Sequence, residues 1–337
     1  MPGRSPVRVH SSRQQGSVLI LVVWAVVLLS LLAAGLGSHS VFALDLTTRL
    51  ERQLQSSYIA AGSVPYVVHV LAEDATQTFD GLGDDWVNSG FLFSKQRLGG
   101  GTFTISRTTA DHQTVYGLLD EDRKLNLNTM PGDAFDALLQ EIGGMREEQA
   151  KVVADSIEDW RDEDGDTRPY GAENFYYHGR SGSYDCKNGP FENVEELLLV
   201  RGMTPEVYMR VAPYLTVYGS GAVNLNTADR AVLSVLGLSL EGVQGILTYR
   251  AAEDGLDGTH DDRALTSITA AGAALGGRYL PAEDVNRVIQ LAQKNLLTVK
   301  SEEFRASIVA QADDARHPVR VSCVVNREGE IKSWAEQ

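Results

Sequence analysis

One long apolar run near the start of the sequence constrains the fold more than any other feature. No residue from Ser17 through Ser38 is ionisable, and residues 18–36 are almost entirely apolar. A helix of about 20 residues crosses the hydrocarbon core of a bilayer. Three basic residues precede the run: Arg4, Arg8 and Arg13. Because positively charged flanks remain in the cytoplasm, we expect one membrane span, with the rest of the chain outside the cytoplasm.

A glycine–serine junction lies immediately before this run. The short basic leader ends at Gly16, and the apolar helix starts at Ser17. This arrangement resembles the processing site of type IV prepilins, in which a membrane peptidase cuts after the glycine on the cytoplasmic side and leaves the helix attached. An ordinary signal anchor that happens to carry Gly16 is the alternative interpretation.

The fifth residue after this junction differs from that of most prepilins. The position usually holds glutamate, whereas this chain has Leu21. A carboxylate in hydrocarbon is costly unless it is paired, so a subunit with no neighbour above it gains nothing by keeping one. Leucine is therefore acceptable at a filament tip, and the pattern resembles the GspK family, the large minor pseudopilins of type II secretion.

Beyond the span, apolar residues recur at helical spacing: Leu46, Leu50, Leu54, Tyr58 and Ala61. This periodicity predicts that the anchor helix continues into the soluble part of the chain. Pro65 should kink the helix or end a turn, and residues 67–71 resume it.

Short alternating stretches then flank a long helical region. The alternation predicts strands at residues 102–107, 114–119, 304–309, 319–325 and 330–333. We divide the chain into a leader (1–16), an N-terminal helix (17–75), a first α/β part (76–119), a helical insert (120–295) and C-terminal strands (296–337). The resemblance implies an α+β fold, with a pilin-like long helix on a small antiparallel sheet and a large α-helical insert.

A five-residue motif occurs twice in the insert. Leu125-Asn126-Leu127-Asn128-Thr129 recurs as Val223-Asn224-Leu225-Asn226-Thr227, and each copy is followed by a pair of apolar-periodic helices. The Asn and Thr side chains suit helix caps. The insert is therefore predicted to be duplicated, with one module at about 120–180 and a second at about 220–265. Between them, Asn193 and Thr204 are further predicted caps, with Pro205 at the first position of a helix.

The duplicated insert is expected to be SAM-like or helix-hairpin-helix-like. The same motif resembles the helix-hairpin-helix modules of membrane-anchored ComEA-like DNA-uptake proteins, which gives an alternative function. Their hairpin presents backbone N–H groups to a phosphate, usually among lysines. Here the corresponding residues 236–242 include Glu241 and no lysine. The chain also carries 30 Lys and Arg against 45 Asp and Glu, a net charge of −15. Because nucleic-acid affinity depends on neutralising phosphates, we expect no nucleic-acid partner.

An acidic loop follows the second helix of the first module. Asp162, Asp164 and Asp166 alternate, and Glu173 stands at the twelfth place from Asp162, as in an EF-hand. Thr167 replaces the glycine of that motif, so the strict pattern fails. We predict a calcium site formed by these four residues and Asp159, as the resemblance also implies. A solvated loop is the alternative. Asp185 is a further candidate ligand, and residues 253–262 are a weaker candidate for a second site.

The remaining chemistry indicates no enzyme, because no catalytic motif or selected carboxylate pair is present. Cys186 and Cys323 either pair in an oxidising compartment or act as buried apolar side chains. The resemblance implies an inner-membrane protein with its C-terminal domain in the periplasm, cleaved by prepilin peptidase and methylated on Ser17. It also implies contacts with the other minor pseudopilins and the major pseudopilin, at the tip of the fibre that exports folded proteins.

Overall fold

The computed structural model describes residues 15–74, 78–109, 112–179 and 183–336, without the side chains of residues 15–17 and 36–43. Residues 1–14, most of the basic leader, lie outside this set. The first element is α1 (Gln15–Ala72), a single helix of 58 residues. The prediction that the anchor helix continues beyond the apolar run is confirmed. Pro65 lies inside α1 and does not end it.

The other helices are α2 (Gly90–Phe93), α3 (Gly132–Glu141), α4 (Glu147–Arg161), α5 (Asn174–His178), α6 (Pro205–Val211), α7 (Arg230–Val235), α8 (Leu240–Arg250), α9 (Ala271–Leu275) and α10 (Ala282–Gln293), with 3-10 helices at Val194–Leu199 and Ala212–Tyr214. The strands are β1 (Gln96–Leu98), β2 (Gly101–Ile105), β3 (Arg107–Thr108), β4 (Thr114–Val115), β5 (Leu119–Asp120), β6 (Leu125–Asn126), β7 (Leu215–Thr216), β8 (Val223–Asn224), β9 (Leu297–Thr298), β10 (Glu303–Ala312), β11 (Val319–Asn326) and β12 (Ile331–Glu336).

The main sheet is antiparallel, with the order β1-β2-β10-β11-β12, and β5 pairs with the start of β10. Ile308 of β10 pairs with Ile105 of β2, and Phe304 pairs with Asp120 of β5. The prediction of a single strand at 114–119 is wrong, because two strands form there. β4 pairs with β3, and β5 pairs with β10. The turn between β11 and β12 closes through Asn326, whose N–H donates to the Glu330 carbonyl at 3.1 Å.

The end of α1 packs on this sheet and forms one hydrophobic core. Alternate residues of β10 are buried, as its sequence pattern requires. They meet Val67 and Leu71 of α1, both fully buried. At the far end of the sheet, the rings of Trp86 and Phe304 meet edge to face at 5.1 Å. The core therefore fixes the helix to the sheet through residues of its last four turns.

A different face of α1 remains exposed. The leucine stripe comprises Leu46, Leu50, Leu54 and Tyr58, which are 48%, 52%, 60% and 76% exposed. The sheet instead contacts the face that carries Ile59, Ala60 and Val64. The periodicity thus predicted the helix correctly, but it marks a surface without a partner in this chain among the residues described.

The helical insert, which lies between β5 and β10 in the sequence, has a hydrophobic core of its own. It gathers buried side chains of α3, α4, α7, α8 and α10 around Phe135, Leu233 and Ile246. Cys186 lies in this core and Cys323 lies in the sheet core; both are buried and free, so they do not pair. The predicted caps between the modules are confirmed, because Asn193 accepts from the Glu196 N–H and Thr204 accepts from the Val207 N–H.

Candidate functional site

The first candidate site is the exposed part of α1. Val18–Gly35 is long and apolar enough to cross a membrane, and none of it is buried within the protein. Leu21 is 70% exposed on this segment. The predicted processing residues, Gly16 and Ser17, lie in the first turn of α1, where their side chains are not described. This geometry fits a single-pass membrane anchor.

The two Asn-x-Asn-Thr motifs form turns rather than helix caps. Asn126 Oδ1 accepts from the N–H of Asn128 at 2.9 Å, and Asn224 Oδ1 accepts from the N–H of Asn226 at 2.9 Å. The helices that follow start later, after Pro131 and Asp229, and neither of these residues makes a side-chain cap. The predicted capping role is therefore wrong. The asparagines instead close Asx turns, a local alternative that competes with helix formation.

Each motif also begins with a short parallel strand pair. Leu125 pairs with Leu215, and Val223 pairs with Leu297. In both copies the residue after the first asparagine donates its N–H across the pair at 2.9 Å, from Leu127 to the Thr216 carbonyl and from Leu225 to the Thr298 carbonyl. The two motifs therefore make the same backbone contacts at different places in the fold.

The arginine that ends the second helix of each module supports its own motif. Arg161 of α4 donates to the Leu127 carbonyl at 2.6 Å. Arg250 of α8 donates to the Ala228 carbonyl at 2.7 Å, and this residue is only 3% exposed. Because buried carbonyls require donors, these arginines stabilise the motif and are structural.

The acidic loop brings together only part of the predicted calcium site. Asp159 is buried at the end of α4, and Asp162 is half-buried immediately after it. The guanidinium of Arg168 bridges the two carboxylates, with a 2.9 Å hydrogen bond to Asp159 Oδ1 and a second, shorter one to Asp162 Oδ2. Asp164 and Asp166 are exposed, and Asp164 Oδ1 accepts from the Asp166 N–H at 2.9 Å.

Glu173 is the most unusual member of this set. Its side chain is buried, yet neither carboxylate oxygen has a hydrogen-bond partner among the residues described, and Asp162 Oδ1 is in the same condition. Burial raises the pKa of Glu173, and the charges of Asp159 and Asp162 raise it further. Buried carboxylates without donors are costly. A bound cation or a proton would supply the partner that these carboxylate oxygens lack.

The other predicted ligands lie apart from this loop. Asp185 is exposed, and its Oδ1 lies 2.5 Å from Nε2 of His178. In the second acidic stretch, Asp261 and Asp262 accept hydrogen bonds from backbone N–H groups of the loop itself, from Asp254 at 3.3 Å and from Gly258 at 2.6 Å.

A cluster of three carboxylate side chains, which the sequence analysis did not predict, lies beyond the end of α1. Within the described ranges, only Asp74, Asp80 and Asp84 bring three potential ligand atoms within 4.8 Å of one another. Asp80 is fully buried; its carboxylate pairs with Arg327 and accepts from the Ser301 N–H at 2.7 Å. Burial raises the pKa of Asp80 to about 7, against the opposing effect of Arg327. The spread of these residues over the sequence gave no motif to detect.

Comparison with known proteins shows a consistent similarity to one secretion component. A family model described as the type II secretion system (T2SS), protein K matches residues 115–220. The type II secretion system protein K of Aeromonas hydrophila is 27% identical over 326 residues, which cover 91% of this chain and 92% of the relative. That of Klebsiella pneumoniae is 27% identical over 320 residues and 91% of each chain. The chain is similar to type II secretion system protein K along most of its length.

The fold agrees with that of a solved protein of this name. A chain in the crystal structure of the GspK-GspI-GspJ complex from the enterotoxigenic Escherichia coli type 2 secretion system aligns with a TM-score of 0.66 at 16% identity. The alignment covers 88% of this chain and 99% of that one. The mixed fold of helices and an antiparallel sheet is thus shared with protein K, and the similarities favour a secretion component over the DNA-uptake alternative.

Proposed function

We propose that this chain is a minor pseudopilin at the tip of the type II secretion pseudopilus, where it helps to initiate or cap the fibre that exports folded proteins across the outer membrane. The observation that carries this proposal is the similarity to protein K relatives over 91% of the chain. The role is structural and requires no catalysis.

The anchor supports a position at one end of the fibre. Val18–Gly35 would cross the inner membrane once and leave the C-terminal domain in the periplasm. Prepilin peptidase would cut after Gly16, and Ser17 would be methylated as the new N-terminus. Leu21 carries no charge to pair with the amine of a neighbouring subunit above it, so the helix suits the last position in a stack.

The leucine stripe supplies a surface for the subunits below. Four large side chains, 48–76% exposed, continue the line of the membrane span on a helix whose other face already holds the sheet. Exposed apolar patches of this kind mark interaction sites. The similar solved chain is named in a complex with GspI and GspJ. We propose other minor pseudopilins and the major pseudopilin as the partners.

The pilin-like architecture and the duplicated insert are part of this proposal. The pilin arrangement is a long N-terminal helix on an antiparallel sheet, and the packing of α1 against β10 supports it. The matching Asx turns, strand pairs and arginines of the two Asn-x-Asn-Thr motifs support two related modules. The insert would then be the bulky head that prevents further subunits from adding above.

Calcium is proposed as the ion of the acidic loop. Asp162 and Glu173 fit it best, because they offer buried carboxylate oxygens without donors. Asp159 would join them if Arg168 moved away, and Asp164 and Asp166 lie on the exposed side. Calcium prefers six to eight oxygen ligands, and when bound it would neutralise the loop and order it.

N-terminal sequencing of the mature protein from the membrane fraction tests the proposal most directly. The first residue should be Ser17. An intact leader, or cleavage after Ala34, would contradict the pseudopilin assignment. Deletion of the gene should leave folded exoproteins in the periplasm, and complementation with the full chain should restore their export; continued export in the deletion strain would contradict the secretion role.

A further inference from the structure

The loop between β10 and β11 (residues 313–318) lies beside α1, on the side of the sheet that points toward the membrane span. The N–H of Ala312, the last residue of β10, donates to Ser56 Oγ at 3.0 Å. Further into the loop, Asp314 pairs with Arg52 of α1 at 3.3 Å. These contacts are nearer to the span than the residues of α1 that pack in the sheet core. The β10–β11 loop therefore extends from the sheet along α1 toward the membrane.

A cavity of about 540 Å³ opens between this loop and α1. Along the helix it reaches from Arg52 to Asp45, with Arg49 between them. From the loop it is lined by Arg316 and His317. Guanidinium and imidazole groups donate hydrogen bonds, so four of the lining side chains can donate to an anion.

Two of the three acidic side chains that line the cavity are already paired with an arginine. Asp45 pairs with Arg49 at 2.5 Å, and Asp314 pairs with Arg52. Glu336 is the third, and it is exposed at the end of β12. The carboxylates therefore reduce the positive charge of the cavity but leave several of its donors unoccupied.

The unoccupied donors lie on both sides of the cavity. Arg316 and His317 are exposed, and their side chains form no ion pair or hydrogen bond among the residues that the structure describes. On the helix side, Arg52 Nε is buried and has no acceptor within the described ranges. Because a buried N–H without an acceptor is costly, this arrangement favours an anion that offers several oxygen atoms.

The cavity is also close to the level at which the polar layer of a membrane meets α1. The apolar run ends at Ser38, and His39 is the only ionisable residue between it and Asp45. For a helix along the membrane normal, Asp45 is roughly 10 Å beyond Ser38. The headgroup layer is about 5–7 Å thick on each side of the bilayer, and charges attract across about 8 Å at physiological ionic strength. Lipid phosphates are therefore within range of Arg49 and Arg316.

We propose that this cavity binds the phosphate headgroup of an anionic phospholipid in the leaflet that faces the soluble part of the chain. Arg316 and His317 would donate to the phosphate oxygens, and Arg52 Nε would gain the acceptor that it lacks. The chain as a whole carries a net charge of −15, so an anionic surface repels most of it, and attraction requires these local cations. The contact holds the sheet against the membrane, and it depends on the anchor rather than on the secretion role.

Hydrogen exchange of the full chain in lipid nanodiscs tests this proposal. The measured quantity is the ratio of exchange rates of residues 314–317 between discs of phosphatidylcholine alone and discs that also contain phosphatidylglycerol. The wild type should exchange several-fold more slowly with phosphatidylglycerol. Arg316→Gln should lose about fivefold of this protection, the effect expected of one arginine at a membrane surface, and Arg316→Lys should retain most of it. Asp314→Asn should increase the protection, because it removes a negative charge and releases Arg52.

Arg263→Gln is the matched control. It removes one exposed arginine next to Ala264, which packs against Gly81 beyond the end of α1 and so lies far from the span. This variant should keep the wild-type ratio. Each variant is compared with itself in the two kinds of disc, so a change in its intrinsic exchange rate cancels.

Three outcomes would overturn the proposal. The first is an equal ratio in the wild type and Arg316→Gln. The second is an equal loss in Arg263→Gln, because the attraction would then depend on net charge alone. The third is the same protection in phosphatidylcholine discs on addition of free glycerol phosphate, because the cavity would then serve a soluble phosphate ester. None of these measurements involves secretion, so their failure would leave the proposed function untouched.

Discussion

Asn128 and Phe191 exchange two hydrogen bonds although 63 residues separate them. Asn128 Oδ1 accepts from the Phe191 N–H at 2.7 Å, and Asn128 Nδ2 donates to the Phe191 carbonyl at 3.0 Å. In the second module Asn226 makes the same exchange with Leu265, at 2.8 and 3.0 Å. In each module, one asparagine side chain bonds both the N–H and the carbonyl of a distant residue, as the backbone of a neighbouring strand would.

Replacement of either asparagine should therefore destabilise its module. Asn128→Ala or Asn226→Ala leaves a backbone N–H and a carbonyl without partners, and we expect a loss of about 1–3 kcal/mol in the free energy of unfolding. Asn226 is 1% exposed, so its replacement should cost at least as much as that of Asn128. Denaturant unfolding measures both; Gln293→Ala, at the exposed end of α10, is the control. Equal stability of the variants and the wild type would contradict the structural role of this exchange.

Arg168 should control the calcium response of the acidic loop. Arg168→Met leaves the fully buried carboxylate of Asp159 without its cation, which should cost about 1.5–3 kcal/mol in a chelating buffer. Calcium should restore more stability to this variant than to the wild type, because the competing guanidinium is gone. Calorimetric titration and thermal unfolding with calcium or EDTA measure the effect. Asp162→Asn should weaken calcium binding in both backgrounds; an unchanged titration would exclude the loop as the site.

Loss of Arg327 should matter more at alkaline than at acidic pH. This guanidinium pairs with Asp80 and bonds the Leu71 and Ser301 carbonyls. The pKa of Asp80 is already about 7 because of burial, and removing its cation raises the pKa further. Since stability from a raised carboxyl pKa is lost as the pH rises, Arg327→Met should destabilise the protein more near pH 9 than near pH 6. The exposed Arg320→Met is the control, and a pH-independent loss would contradict the argument.

The leucine stripe should be dispensable for folding and necessary for assembly. Leu50→Glu and Leu54→Glu change side chains that are 52% and 60% exposed, so the free energy of unfolding should change by about 0.5 kcal/mol or less. Co-purification of the other minor pseudopilins should nevertheless fall. Val67→Glu, on the buried face of α1, should instead unfold the protein. Normal co-purification with both stripe variants would show that the partners bind elsewhere.

Both cysteines should remain reduced and unreactive in the folded protein. Cys186 is 5% exposed and Cys323 is fully buried, and burial raises their thiol pKa values to about 12 and about 11. A thiol reagent should therefore label neither residue until denaturant is added, and then label two per chain. A mobility shift on reduction in a denaturing gel would contradict this, because it would indicate a disulfide.

The local sequence pattern predicts those helices and strands whose side chains face solvent, lipid or an adjacent strand. The membrane helix follows from one uninterrupted apolar run, and β10 follows from its alternation between buried and half-buried residues. The capping pairs at Asn193 and Thr204 are also local, because each side chain bonds an N–H three residues on.

The errors arise where a residue has a distant partner. The motif predicts helix caps at Asn128 and Asn226, whereas Asn128 bonds a segment 63 residues away and Asn226 bonds one 39 residues away. The ligand set that the spacing of Asp162, Asp164 and Asp166 predicts stays a prediction, and no spacing rule indicates that Arg168 pairs with both Asp159 and Asp162. Asp122 Oδ2 accepts from the N–H of Glu303, 181 positions further along the chain, and no local motif marks this contact.

The N–H of Glu121, just after β5, donates to the carbonyl of Glu303, the first residue of β10, at 2.9 Å. This bond between the two ends of the insert has a consequence for how such a protein can evolve. Because Glu121 and Glu303 are bonded neighbours, everything between them is a loop closed at its base. A gain, loss or exchange of that whole segment leaves the ends of β5 and β10 where they are and does not displace α1 from the sheet. Natural variation in head size, and the transplantation of heads between related subunits, should therefore be tolerated by the filament-forming part of the chain.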